Sequence, residues 1–184
     1  TMVREALSAE RLLVLALLKP GWEVDYHGSP EFFPLGCLAR FEQVEWLPND
    51  CYDLKVTGVS RVRFHKVVSE FPYRSARVEL LPEHPYPDDD PLIQLEKRAL
   101  ADAFDRLLAT MAGESTEARV DRDVRYELLV NTICMASDLP AEERLGLLAQ
   151  DSLVERGRRI RERIERRLRE GDKRGPEEPP AEPG

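Results

Sequence analysis

Three stretches decide the fold: PLGCLARFEQVEWLPND (34–50), CYDLKVTGVSRVRF (51–64) and FPYRSARVELLPE (71–83). Apolar and polar residues alternate in each, and turn formers rather than helix caps break the runs, so the segment reads as four short strands. Tyr52, Leu54 and Val56 fall on one face while Asp53, Lys55 and Thr57 fall on the other, as in a half-buried antiparallel strand. Leu47-Pro48-Asn49-Asp50-Cys51 predicts a hairpin, because proline presets φ and Asn and Asp tolerate the turn positions that other side chains avoid. Breaks at Gly58 and at Glu70-Phe71-Pro72 separate the later strands into a meander of sequence neighbours.

Toward the N-terminus, Met2 to Ser8 reads as a short helical turn. The apolar run Leu12 to Leu18 that follows Arg11 is too continuous for a half-exposed strand and too short for an ordinary helix. It therefore predicts a strand buried on both faces at the centre of the sheet, with Val14 and Leu15 in the core, ended by Pro20-Gly21. Residues 22–33 read as a loop by their Gly, Ser and Pro, yet they hold Trp22, Tyr26, Phe32 and Phe33. Two roles stay open for these aromatics. They fill the open end of a small barrel, or they form an apolar contact surface for a partner.

Beyond Leu81 the pattern changes to helices. Asp88-Asp89-Asp90-Pro91 is a helix start, with a carboxylate cap and proline in the first turn. Three consecutive carboxylates do not converge on one ion, so capping is preferred to metal binding. Leu92, Leu95, Ala99, Ala103, Leu107 and Met111 recur at helical spacing up to Gly113. Further helices are expected from about Asp121 to Ala136, from Pro140 to about Gln150, and from Leu153 to Arg169 with Leu153, Gly157, Ile160, Ile164 and Leu168 on one stripe. This organises the chain as a β domain (1–84), a helical bundle (85–170) and a Pro- and Glu-rich tail (171–184) whose composition predicts disorder.

Composition excludes more than it selects. The net charge of −8 disfavours nucleic acid in general, but residues 155–174 hold ten Lys or Arg against five Asp or Glu. This raises an RNA-binding alternative for the last helix. Against it stand the i,i+4 pairs Glu162 to Arg166 and Glu165 to Arg169, and the lack of any aromatic residue there for base stacking. Cys37, Cys51 and Cys134 are odd in number and widely spaced, which implies reduced thiols and a cytoplasmic protein. No apolar run spans a bilayer and no signal peptide is visible. No phosphate loop, no GxSxG elbow and no zinc-binding spacing of His27, His65 and His84 is found, so neither a cofactor, a metal nor an enzymatic activity is expected.

The residues also carry a resemblance. Gly36-Cys37-Leu38-Ala39-Arg40-Phe41, Leu47-Pro48 with Tyr52 and Leu54, Gly58 with Arg61-Val62-Arg63, and Pro72-Tyr73-Arg74 with Ala76 and Val78-Glu79 together resemble the Lon protease N-terminal (substrate-binding) domain. Asn131-Thr132-Ile133, Asp138-Leu139-Pro140-Ala141-Glu142-Glu143-Arg144 and Leu147-Leu148-Ala149 agree. Asn49-Asp50 stands where that family commonly has Asp-Gly, and Thr1-Met2-Val3-Arg4 corresponds to the inside of the family's first helix, without its opening strands. The resemblance implies an α+β fold, with an N-terminal PUA-like β pseudobarrel followed by a C-terminal α-helical bundle. It implies a stand-alone, non-enzymatic module without ATPase or peptidase parts that binds unfolded or partly folded polypeptides, alongside a protease or chaperone. Its binding residues are expected at Trp22, Tyr26, Phe32 and Phe33. Self-association is a further expectation, since the family's absent strands would leave a sheet edge unpaired.

Overall fold

The computed structural model describes residues 2–26, 28–48, 51–112 and 119–172. Its first half runs through α1 (Met2–Ser8), β1 (Leu12–Leu18), a single 3-10 turn (Trp22–Asp25), β2 (Phe32–Leu47), β3 (Cys51–Ser69) and β4 (Ser75–Leu81). All pairings are antiparallel, in the order β1-β2-β3-β4, so the meander expected from the alternation is present. The hairpin pairs Leu47 with Cys51 and Trp46 with Tyr52, while its Asn49-Asp50 turn lies outside the described residues.

Two expectations for the sheet are corrected. Gly58 does not end a strand, because β3 is continuous for 19 residues. Instead Leu38 pairs with Ser60 and Ala39 with Gly58, leaving Val59 as an extra residue. A bulge of this kind bends a strand without breaking it, and a glycine commonly marks one. Nor is β1 central. Among the described residues it pairs with β2 alone, none of its residues is buried, and Leu15 is 47% exposed. In a meander the first strand must take an edge unless a later one crosses over it, and none does. The core of this half is instead made by Ala39, Phe41 and Val62 of β2 and β3, joined by Val3 of α1.

Arg61, beside Val62, is also buried. Its guanidinium donates to the Pro82 carbonyl at 2.9 Å and stands 3.5 Å from Glu83, which anchors the exit from the sheet.

The second half contains α2 (Pro91–Ala112), α3 (Tyr126–Ala136), α4 (Ala141–Leu148) and α5 (Leu153–Asp172). The chain divides into two compact units, Thr1–Glu83 and His84–Gly184. Asp90 caps α2 by accepting the Leu92 amide at 2.7 Å, and Asp88 accepts the Tyr126 amide at 3.0 Å at the start of α3. Because Asp121 closes a local turn on the Asp123 amide, α3 begins at Tyr126 rather than near Asp121. The stripe expected on α5 holds: Leu153, Gly157, Ile160 and Ile164 are buried and Leu168 packs against them.

The stripe expected on α2 is displaced. Ile93, Leu100, Ala103, Phe104 and Leu107 are buried, whereas Leu92, Leu95 and Met111 are each more than 60% exposed. This helix is apolar around most of its circumference, so spacing alone cannot say which face meets α3 and α5. α5 runs on to Asp172, so the first two residues of the tail expected from Gly171 continue the helix; the end expected at Gly113 and the tail from Lys173 onward lie outside the described residues.

Candidate functional site

Arg11 and Gly21, the two described residues with positive φ, bracket β1, and the second of them turns the chain into the aromatic segment. The base of that loop is closed twice by one pair of residues. The Lys19 amide donates to the Glu31 carbonyl at 2.8 Å, and the Lys19 ammonium meets the Glu31 carboxylate at 2.7 Å, holding that carboxyl below its usual range. Within the loop the Asp25 carboxylate accepts the Ser29 amide.

The loop is also tied to the turn between β3 and β4. The Ser29 hydroxyl donates to Glu70 at 2.9 Å, and Arg74 donates both to the Pro30 carbonyl at 2.7 Å and to Glu70 at 3.1 Å. Two surface segments far apart in sequence are thereby held as one ledge. A guanidinium that donates from two nitrogens to two separate acceptors fixes orientation as well as distance.

The ledge divides the four aromatic residues expected at the site. Trp22 and Tyr26 lie on its outside, ring centroids 5.6 Å apart, with Tyr26 62% exposed. Val24 between them is almost fully exposed. Phe32 and Phe33 are half-buried in β2 rather than in the loop. Phe32 meets Phe64 edge-on at 4.8 Å and lies under the Arg74 guanidinium, so its ring packs on the sheet. Gly36 makes room for this, since a side chain there would collide with the Leu15 carbonyl and the Phe64 ring.

One exposed aromatic residue was not foreseen. Phe71, at the β3–β4 turn that the ledge includes, is 88% exposed. A large apolar residue directly before Pro72 in a turn, where polar residues usually stand, was the available signal.

Elsewhere in this unit Arg4, Leu7, Arg11, Val44, Trp46 and Tyr52 line a shallow cavity of ≈ 630 Å³. Arg4 donates to the Tyr52 hydroxyl across it at 3.0 Å. In the helical unit the arginines of α5 do not form one free stripe. Arg156 is buried, donating to Asn131 and to the Leu147 and Gln150 carbonyls. Arg158 and Arg161 share Glu96, while Arg159 meets Glu155 and Arg163 meets Glu143. Among the described residues no group of three or more His, Cys, Asp or Glu could hold a metal ion, and no helix is long and apolar enough to cross a membrane.

A meander sheet carrying an aromatic ledge, followed by a helical bundle, defines an α+β module. The chain belongs to the family whose model is described as the ATP-dependent protease La (LON) substrate-binding domain, which matches residues 1–166. It is 24% identical over 168 residues to a Lon protease of Anaeromyxobacter dehalogenans and 23% identical over 168 residues to Lon protease 2 of Myxococcus xanthus. Both matches cover 90% of this chain and 20% of the relative, so the chain spans about a fifth of the length of these curated relatives. Among solved structures it is similar to a Lon N-terminal domain protein from Xanthomonas campestris, with TM-score 0.57, 18% identity, and coverage of 86% of this chain and 79% of that one. The N-terminal domain of the Mycobacterium avium complex Lon protease gives 0.56 at 16% identity, covering 83% of this chain and 90% of that one. These likenesses establish the Lon N-terminal fold, and the matched part of the relatives is their substrate-binding domain rather than a catalytic one.

Proposed function

We propose that this protein is a non-enzymatic, cytoplasmic module that binds unfolded or partly folded polypeptides through the ledge formed by Trp22, Tyr26 and Phe71, with Phe32 and Phe33 supporting it from β2. The observation that carries this reading is the exposure of these three rings on segments held in place by hydrogen bonds, in a chain of a substrate-binding family. Unfolded chains offer scattered apolar side chains. A promiscuous receptor therefore needs apolar area that is ordered beforehand and demands few specific hydrogen bonds, which aromatic rings supply at little entropic cost. The same family membership supports the reading that it partners a protease or chaperone.

Trp22→Ser combined with Phe71→Ser should weaken binding of a reduced, carboxymethylated globular protein by roughly tenfold or more, the loss typical of interface aromatics, with the melting temperature nearly unchanged. Titration by fluorescence anisotropy beside a thermal melt measures both. Unchanged affinity in the double variant would remove the ledge as the binding surface. A collapsed melt would show these rings to be structural.

A further inference from the structure

We propose that the polypeptide segments taken up at the aromatic ledge are those in which lysine or arginine flanks an apolar stretch, and that Glu23 and Asp25 make this selection. This deepens the polypeptide-binding reading above and rests on it. Trp22-Glu23-Val24-Asp25-Tyr26 alternates exposed apolar side chains with exposed carboxylates.

The local backbone pairs each ring with an acid. Trp22–Asp25 is a 3-10 turn, and Tyr26 continues in helical conformation with φ −53° and ψ −39°. A helix with three residues per turn sets side chains at i and i+3 on one side, so Trp22 shares a side with Asp25, and Glu23 with Tyr26. The Asp25 carboxylate is fixed in place, since it accepts the Ser29 amide at 3.1 Å and fills the space that a side chain at Gly28 would need. The stem of a lysine or arginine packs on apolar surface and its head is drawn to a ring face or a carboxylate, so a ring beside an acid receives both parts of such a side chain. The ledge already makes half of that contact internally, with the Arg74 guanidinium 5.8 Å from the centre of the Phe32 ring.

The other carboxylates of the ledge are already neutralised. Glu31 meets Lys19 at 2.7 Å, and Glu70 meets Arg74 at 3.1 Å. Neither Glu23 nor Asp25 forms an ion pair among the described residues, so the charge left on the ledge is negative. Rings alone accept apolar segments of any flanking charge. Carboxylates between them discriminate, because complementary charge speeds the encounter with a basic segment while like charge opposes an acidic one.

The test uses the full chain and two labelled peptides with one apolar core, flanked at both ends by lysine pairs in the first and by glutamate pairs in the second. At low salt the lysine-flanked peptide should bind roughly tenfold more tightly, the combined effect of two exposed ion pairs. The preference should shrink to about twofold at about 1 M salt, where charges are screened beyond ~3 Å. Glu23→Gln combined with Asp25→Asn should remove it by weakening the lysine-flanked peptide alone. Asparagine still accepts the Ser29 amide, so the loop and the melting temperature are retained.

Equal affinity of the unsubstituted chain for the two peptides at low salt, with binding still sensitive to Trp22→Ser, would overturn the selection and leave the ledge as an indifferent receptor. A preference that survives in the Glu23→Gln, Asp25→Asn variant would assign it to the net charge of −8 on the whole chain and overturn the role of these two residues. If neither peptide nor the carboxymethylated protein binds the unsubstituted chain, the reading beneath fails as well.

Discussion

At the scale of single residues, the tightest constraint lies between α3 and α5. A Cβ at Gly157 would stand 2.0 Å from the Tyr126 hydroxyl and 3.2 Å from a Val130 methyl. Both neighbours are fully buried and cannot swing away. Gly157→Ala should therefore destabilise the helical unit by ~2 kcal/mol or more, although alanine by itself favours a helix by about 1 kcal/mol. Denaturant midpoints measured by circular dichroism decide this, and a stabilised variant would show that the helices separate easily. The same tyrosine sets an alkaline limit. Burial pushes its pKa up to about 12, and its hydroxyl has no hydrogen-bond partner among the described residues. Below pH 10 both states are protonated. Between pH 10 and 12 the unfolded chain loses the proton while the folded one keeps it, so stability falls across that window by roughly 2 to 3 kcal/mol. Tyr126→Phe should abolish that part of the pH dependence at no cost near neutrality, since it removes an unsatisfied polar group. An alkaline unfolding curve unchanged by the substitution would place the titrating group elsewhere.

At the scale of elements, position in the sheet outweighs hydrophobicity. β1 is the most apolar strand, yet none of its residues is buried, whereas β2 and β3 bury Phe41 and Val62 between polar neighbours. Phe41→Ala should cost ~3 to 5 kcal/mol, Leu15→Ala less than about 1.5 and Lys55→Ala less than about 0.5. Thermal melts of the three variants test the ranking, and equal losses at Leu15 and Phe41 would mean that β1 is covered in solution. The last helix shows the converse. Arg156, a charged residue bordering the apolar stripe of α5, is buried, because its guanidinium finds the carbonyls at the end of α4. Such a side chain places charge inside by replacing water with fixed acceptors.

For the whole molecule, the distribution of core residues matters most. Among the described residues, fourteen buried apolar ones form one cluster in the helical unit, while the sheet unit contributes Val3, Ala39, Phe41 and Val62. Apolar burial is the dominant favourable term in folding, so the sheet unit lies at the low end of local stability, where binding segments are commonly found. Native-state hydrogen exchange should rank the amides of Leu129, Ile133, Ile160 and Ile164 slowest and those of β1 fastest. Equal protection in the two units would contradict the ranking.

The order of the elements, the hairpin at Pro48, the cap at Asp90 and the core stripe of α5 were all legible in the sequence. Each depends on periodicity or turn chemistry within a few residues, and such local terms survive in any tertiary context. The motif residues of Gly36 to Phe41 and Arg61 to Val62 likewise sufficed to point to the family. Three features were decided by tertiary structure alone. A run such as LLVLALL reads the same at the centre and at the edge of a sheet, and pairing order settles which. On α2 the buried face depends on where α3 and α5 lie. The aromatic segment was visible as a cluster, but its division into exposed Trp22 and Tyr26 and packed Phe32, and its tie to the turn that carries Phe71, required Arg74 and Glu70 to meet the loop. Contacts between residues some forty positions apart leave no periodic trace in the chain, and only the folded molecule displays them.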